Sequence, residues 1–282
     1  MKGDRKLTVS VTVIIPCYRC ALTIRRAVQS VILQIHIPAE VILVDDASND
    51  ETLGVLRDLE KQYFGWIKVI SFTENKGAAS ARNAGWAMAT QTYIAFLDAD
   101  DSWHHKKLFI QSTYMLSNPD VALCGHQCVY LRDKDSLPII KNKDRLITNI
   151  SQSSLLFKNA FSTPTIMLKR DVPFRFQEGK RYAEDLLLWQ QIAFADLKVI
   201  RIENTLAYLY KPLYGAGGLS AQMWEMEKGE LSNFGFLYSV GSIHLLLYIV
   251  AALFSFAKFI KRLLVVRLKI LNNLFYTKEV MN

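Results

Sequence analysis

The stretch that most limits what this chain can become is Tyr93 to Asp101, Y-I-A-F-L-D-A-D-D. Ile94, Ala95, Phe96 and Leu97 are apolar in succession, which fits a strand buried on both faces of a parallel sheet. Three carboxylates then arrive where that strand should end. Asp98 and Asp100 sit two residues apart, so on an extended backbone they project to one side, while Asp101 points away or opens the next turn. Hard oxygen ligands so placed suit Mg2+ or Mn2+, with substrate phosphates completing the shell. The competing reading is an acidic loop capping a helix over Trp103 to Leu116, with Asp101 or Ser102 as N-cap.

The flanking sequence builds a sheet around that strand. Val9 to Pro16 is a β-branched run ended by proline, and Cys20 to Leu33 carries apolar residues at helical spacing. Val41 to Val44 is a second short apolar run, closed by Asp45 and Asp46, with a helix expected over Glu51 to Phe64. Ile67 to Phe72 predicts a third strand, and Gly77 to Met88 a helix of small residues. Strands alternating with helices predict an α/β chain with a Rossmann-like, mostly parallel, doubly wound sheet. In such sheets ligands sit beyond the carboxyl ends of the strands. Those ends carry Pro16 to Tyr18, Asp45 and Asp46, Glu74 to Lys76, and Asp98 to Asp101.

The rest of the chain is less regular. Val121 to Leu131 predicts a strand, Arg132 to Ile150 a charged surface loop, and Thr163 to Leu168 an edge or bent strand because it holds Pro164. Glu184 and Asp185 open an apolar helical stretch running to about Ala195. Acids in a first turn favour the helix macrodipole, so a structural role competes with a chemical one. Ala207 to Gln222 is rich in glycine and aromatic residues and reads as a mobile lid or a linker, with Lys211 its phosphate-seeking group.

Composition separates body from tail. Net charge is +8 and the pI about 9.2, which admits nucleic acid, an anionic membrane or a phosphorylated small molecule as partner. Much of the surplus lies after residue 257, directly behind Leu231 to Ala257, which holds no Asp, Glu, Lys or Arg. A basic cluster beside an apolar run favours lipid over nucleic acid. A re-entrant or in-plane attachment keeps the cluster on the cytoplasmic side; a single crossing and a buried helix are the alternatives. The expected organisation is a catalytic domain over 1–222 and a membrane-associated helical region over 223–282. The basic N-terminus lacks the apolar core of a secretory signal, so the catalytic body is expected in the cytoplasm. Cys17 and Cys20 form a C-x-x-C without a downstream partner pair, so free thiols are expected rather than a redox or zinc site.

Taken together, Pro16 and Tyr18, V-D-D-A-S-N-D at 44–50, N-K-G-A-A-S-A-R-N at 75–83 and D-A-D-D at 98–101 resemble a family 2 glycosyltransferase of the GT-A fold. The resemblance is to bacterial enzymes that build O-antigen and exopolysaccharide, and covers residues 9 to 105 strongly. The Glu184-Asp185 pair and Tyr210 to Ser220 match more weakly. The resemblance implies a nucleotide-sugar donor, UDP-linked on family grounds, with Pro16 and Tyr18 bordering base and ribose and Asp45 or Asp46 at the base edge. Lys76 or Arg82 would lie near the phosphates, Asp98 near the ribose or the metal, and Asp100 would be the main ligand of a divalent cation. Asp185 carries over as the base that deprotonates the acceptor hydroxyl, and Glu184 as the residue holding the acceptor or orienting Asp185. No dedicated nucleophile for a retaining route is evident, so inversion is expected.

The expected acceptor is a saccharide or an undecaprenyl-linked saccharide, at the cytoplasmic face of the bacterial inner membrane. An inactive scaffold or sugar-binding subunit of the same fold is the non-enzymatic alternative. A phosphatase of the haloacid-dehalogenase type fits poorly, because its aspartate pair follows the first strand. The family's late histidine ligand has no evident counterpart, since His244 lies in the apolar tail and His104 and His105 follow the acidic cluster closely.

Overall fold

The computed structural model describes residues 7–131, 146–210 and 222–279. The chain divides into two compact units, Met1–Pro212 and Leu213–Asn282, so the boundary expected at 222/223 falls inside the second.

In the first unit, β1 (Leu7–Cys17) lies parallel to both β2 (His36–Asp45) and β4 (Tyr93–Phe96), and β2 is parallel to β3 (Ile67–Ser71). The connections are α1 (Ile24–Ile32), α2 (Thr52–Gln62) and α3 (Gly77–Met88). Every residue of β4 is buried, as a strand apolar on both faces requires.

Beyond β4 the sheet is mixed. β8 (Met167–Lys169) runs antiparallel to β4 and to β6 (Val121–Tyr130), and β6 lies parallel to β9 (Lys198–Leu209). β5 (Ser102–Trp103) and β7 (Ile147–Asn149) both pair antiparallel with β9. The order is β3-β2-β1-β4-β8-β6-β9-β5. Ile24, Leu56 and Leu108 from α1, α2 and α4 (Lys107–Ser117) fill one face. Trp86, Leu155 and Trp189 from α3, α5 (Gln152–Phe157) and α6 (Glu184–Phe194) fill the other.

Several expectations are corrected. The sheet is wholly parallel only from β3 to β4; beyond β4 antiparallel pairs join it, with β6 and β9 a further parallel pair. The helix expected from Trp103 begins at Lys107, because Ser102 and Trp103 pair with Tyr208 and Ala207 of β9. Thr163–Thr165 is a 3-10 turn that puts Pro164 at its start, where the missing N–H costs nothing. β9 has no counterpart among the sequence expectations, and β7 lies in the stretch expected to be loop.

Gly85 explains how closely α3 lies on the sheet. A Cβ there would sit 2.6 Å from Cγ2 of Ile14 on β1, so any side chain would push the helix outward.

The second unit is a helical hairpin of α7 (Met223–Ser239) and α8 (Leu245–Glu279), turned at Gly241 with φ +73°. Tyr238 stacks on Tyr248 at 5.5 Å, Lys258 Nζ donates to Glu230 at 2.8 Å, and Trp224 meets Phe259 at 5.5 Å. This antiparallel register breaks the uncharged run 231–257 into two arms. Among the described residues, no helix is long and apolar enough to cross a membrane.

Lys107 is fully buried, with its Nζ 3.8 Å from the centre of the Trp103 ring and no hydrogen-bond acceptor among the described residues. Burial lowers its pKa to about 7 from the ordinary 10.5. Lys107→Met should therefore raise stability by about 1–3 kcal/mol, the cost of an unsatisfied buried donor. Between those two pKa values the unfolded chain binds more protons, so wild-type stability rises with pH across that window. Denaturation midpoints measured from about pH 7 to about pH 10 should show that rise in the wild type and its loss in the variant.

Candidate active site

The rim at the carboxyl ends of β1, β2 and β4 is assembled by backbone hydrogen bonds between loops. Asp46 N donates to Cys17 O at 2.8 Å, Arg19 N to Ser48 Oγ at 3.0 Å, and Cys20 N to Thr52 Oγ1 at 2.8 Å. Pro16, next to last in β1, is in register with Val44, and Tyr18 just past the strand is 45% exposed with the Arg19 guanidinium 5.1 Å from its ring. Arg19 and Ala47 hold left-handed φ values of 49° and 55°, an outlay in strain typical of sites fixed by their surroundings.

Asp46 is committed to scaffolding. Its Oδ1 accepts from Lys76 N at 2.7 Å, and its Oδ2 from Gly77 N at 2.8 Å and Asn75 Nδ2 at 2.9 Å. It thereby caps the start of α3 from a loop some 30 residues away, a role the sequence does not announce. Asp45 makes longer contacts, from Ser48 N at 3.3 Å and Ser71 Oγ at 3.4 Å. Lys76 is half-exposed and pairs with Glu74 at 3.4 Å.

Arg82 is where the two sides of the site meet. Its Nη2 donates to Asp98 Oδ1 at 2.9 Å and its Nη1 to Glu184 Oε1 at 3.1 Å, with the guanidinium buried. Asp98 follows β4 and Glu184 opens α6, so residues 86 positions apart share one cation. Burial alone would lower the arginine's pKa, but Asp98 and Glu184 outweigh it and raise it.

Aromatic packing beneath the acids produces that meeting. Trp86 stands one turn after Arg82, Phe96 two residues before Asp98, and Trp189 one turn after Asp185. Phe176 touches all three rings, with centroids 6.4, 5.2 and 5.9 Å away. Asn83 fixes the Phe176 backbone from both directions, donating to its O at 2.8 Å and accepting from its N at 3.1 Å.

The acidic pair is placed by strain as well. Ala183 enters α6 at φ 54° and ψ 28°, left-handed for a residue with a Cβ. Asp185 Oδ2 accepts from Thr163 Oγ1 at 3.1 Å, and its Oδ1 from Leu186 N at 2.7 Å. Burial, then the neighbouring Asp185, pushes Glu184 up to about 7 against the pull of Arg82. Burial likewise raises Asp185, opposed first by Arg82. Carboxyls tuned toward neutrality suit proton transfer near physiological pH.

The Asp98–Ser102 turn is held from below and from the end of β9. Asp101 N donates to Asp98 O at 3.0 Å, Tyr210 N to Asp101 Oδ1 at 3.3 Å, and Ser102 Oγ lies 3.1 Å from Tyr210 Oη. Arg26, Thr163 and Ser102 were not foreseen; a helix-face arginine and two hydroxyls carry no signal until their neighbours are known. Lys211 lies outside the described residues.

His104 directly follows β5. Its Nδ1 accepts from Lys106 N at 3.2 Å, and burial, followed by His105, lowers its pKa to about 4. No group of three or more His, Cys, Asp or Glu side chains suited to a metal ion occurs among the described residues. Cys17 and Cys20 are free and buried, and burial followed by Cys20 raises the Cys17 thiol well above its usual range, unlike a reactive thiolate.

The strand order and the acid-lined rim define a GT-A-like α/β domain with a mixed sheet. The chain belongs to glycosyl transferase family 2, whose model matches residues 12–175. A putative teichuronic acid biosynthesis glycosyltransferase of Bacillus subtilis is 33% identical over 64% of this chain and 70% of its own length. The Escherichia coli UDP-Glc:alpha-D-GlcNAc-diphosphoundecaprenol beta-1,3-glucosyltransferase WfgD is 30% identical over 64% of this chain and 69% of its own. An uncharacterised Nostoc glycosyltransferase is 44% identical over 35% of this chain, which spans only 30% of that relative's length. Among solved structures, Staphylococcus aureus TarS 1–349 with UDP-GlcNAc superposes with TM-score 0.64 at 18% identity, over 81% of this chain and 66% of that one. The mannosyltransferase PcManGT of Pyrobaculum calidifontis, with GDP-Man and Mn2+, gives 0.62 at 21% identity over 88% and 73%. At those identities the likeness is one of fold.

Arg82→Met leaves Asp98 and Glu184 without their shared cation and should cost about 3–5 kcal/mol, as does removing one partner of a buried ion pair. Glu184 is raised above its ordinary 4.5 to about 7, so the folded chain holds more protons between those values and wild-type stability falls as pH rises through them. Without Arg82 the pKa moves higher still and the fall extends past neutrality, which urea midpoints across that range would show.

Proposed function

We propose that this chain is an inverting glycosyltransferase that moves a sugar from a UDP-linked nucleotide-sugar to a hydroxyl of a saccharide or lipid-linked saccharide in cell-surface polysaccharide synthesis. The observation that carries the reading is the single guanidinium of Arg82 joining Asp98 of the rim turn to Glu184 of α6. It brings the acids of the β4 turn and those of α6 into one site. The UDP-Glc donor of the Escherichia coli relative supports the donor class, and the teichuronic acid role of the Bacillus relative supports the pathway.

In this reading the exposed Tyr18 and Pro16 border base and ribose. Asp45, with its longer contacts, serves the base edge, and Asp46 holds α3 in place. Lys76, paired with exposed Glu74, reaches the phosphates, as would Lys211. Asp98 and Asp100 are hard oxygen donors at a partly open turn, a set that fits Mn2+ or Mg2+ once a diphosphate adds its own oxygens. Bound there, the cation supplies Lewis-acid stabilisation of charge on the departing diphosphate.

Asp185 takes the proton from the acceptor hydroxyl as that oxygen attacks the anomeric carbon. Thr163 fixes the direction of its carboxylate. Glu184, pinned by Arg82, orients the acceptor. Attack from the face opposite the nucleotide inverts the carbon.

A lipid-linked acceptor matches the second unit, where α8 exposes Leu246, Leu253, Phe254 and Leu264 alongside Lys261 and Arg267. Such a helix suits in-plane attachment to an anionic cytoplasmic membrane surface. Sedimentation with anionic vesicles should pull the protein down at low salt and release it at high salt; neutral vesicles giving equal binding would remove the electrostatic part.

The central test is nucleotide release from a panel of nucleotide-sugars by purified protein, with and without Mn2+. Asp185→Asn should abolish transfer yet bind donor as the wild type does, whereas Asp100→Ala should also weaken metal-dependent donor binding. Identical defects in the two variants would show that the roles are misassigned.

A further inference from the structure

We infer that Arg26 of α1 is a positioning residue for the acidic turn, acting through the peptide that carries Asp100 and through the ring of Tyr210. The inference rests on the functional reading above, and adds to it a residue that touches neither donor nor acceptor.

α1 and the residues just past its end present a polar stripe at one-turn spacing, Arg26 and Ser30 on the helix and Gln34 beyond it, to the segment that follows β4. Ser30 Oγ accepts from Trp103 N at 3.1 Å. Gln34 Nε2 donates to His104 O at 2.9 Å, and its Oε1 accepts from Leu108 N at 3.0 Å. These two buried side chains anchor the segment behind the turn. Arg26 alone reaches the turn itself, with Nη2 donating to Asp100 O at 2.5 Å.

The same guanidinium lies 3.6 Å from the centre of the Tyr210 ring, close enough for a strong cation–π contact. Tyr210 in turn meets Asp101 through its backbone N–H and Ser102 through its hydroxyl. α1 and the end of β9 therefore meet the turn at adjoining residues, Arg26 at the carbonyl of the peptide plane between Asp100 and Asp101 and Tyr210 at the side chains of Asp101 and Ser102. Fixing that plane fixes the direction in which the Asp100 Cβ leaves the backbone, and hence where its carboxylate points. Small misplacements of a binding group carry large penalties.

Arginine suits this post for two reasons. Its planar fork can donate in the plane while its face stacks, which an ammonium cannot do. The ring contact also needs a π face, so an aliphatic residue at 210 would not serve.

The test is calorimetric binding of UDP, with and without Mn2+, to wild type, Arg26→Met, Arg26→Lys, Tyr210→Leu and Tyr210→Phe. Arg26→Met and Tyr210→Leu should lose about tenfold in the Mn2+-dependent part of UDP affinity, in keeping with a displaced ligand. Tyr210→Phe, which keeps the ring, should stay within about threefold of wild type, and Arg26→Lys should fall between. UDP binding without Mn2+ should be the same in all five, a pattern that general loosening of the fold would not give. Should Arg26→Met fail to fold, the Lys variant and the Tyr210 pair decide the matter. Equal Mn2+-dependent affinity in wild type, Arg26→Lys and Tyr210→Leu would overturn the inference while leaving the functional reading intact. Absence of any Mn2+ effect on UDP binding by the wild type would overturn both.

Discussion

A single buried guanidinium decides how the two sides of this molecule meet. Arg82 is held close to the sheet because α3 packs against β1 at Gly85, where there is no room for a side chain. Its fork then has two carboxylates within reach, from β4 and from α6. Buried ion pairs add little net stability, but breaking one is costly, so the arrangement acts more as a lock on geometry than as a source of folding energy. The energy comes from one layer below, where Phe176 packs edge to face on Trp86, Phe96 and Trp189. Each of the three rings around Phe176 stands at a fixed spacing from an acid or the arginine, so packing the rings brings the charges together.

What the sequence disclosed follows from how local each signal is. The β4 run and the acids after it are contiguous, and a doubly buried strand has few ways to be written. The opening of α6 at Glu184 was legible for the same reason. β9 was not, because Arg201, Glu203 and Asn204 interrupt its apolar residues, and Glu203 is accommodated only by Arg201, Thr148 and Gln127 of neighbouring segments. β5 exists only because the end of β9 offers it an edge. The scaffolding duty of Asp46 depends on amides at the start of α3, and that of Arg26 on which face of α1 meets the β4 turn. The C-terminal apolar run could be read for composition but not for the break at Gly241 that folds it back.

Backbone strain collects around the same rim. Arg19, Ala47 and Ala183 all carry a Cβ into the left-handed region, at about 1–3 kcal/mol each. Two lie on the loops after β1 and β2, and the third sets the direction of the acidic pair. Such conformations persist only when neighbouring bonds over-determine them, as those from Arg19 to Ser48 and from Asp46 to Cys17 do here.

The change of strand direction between β4 and β8 has an evolutionary corollary. On one side lies a regular parallel half-sheet, and on the other an irregular half of short and bulged strands tied to α6. The matched family region takes in the parallel half and, of the irregular half, β5 to β8, and stops short of Glu184. Changes confined to the short and bulged strands leave the parallel pairings of β1 to β4 untouched, so the two halves can diverge at different rates provided that the tie from Arg82 to Glu184 is kept.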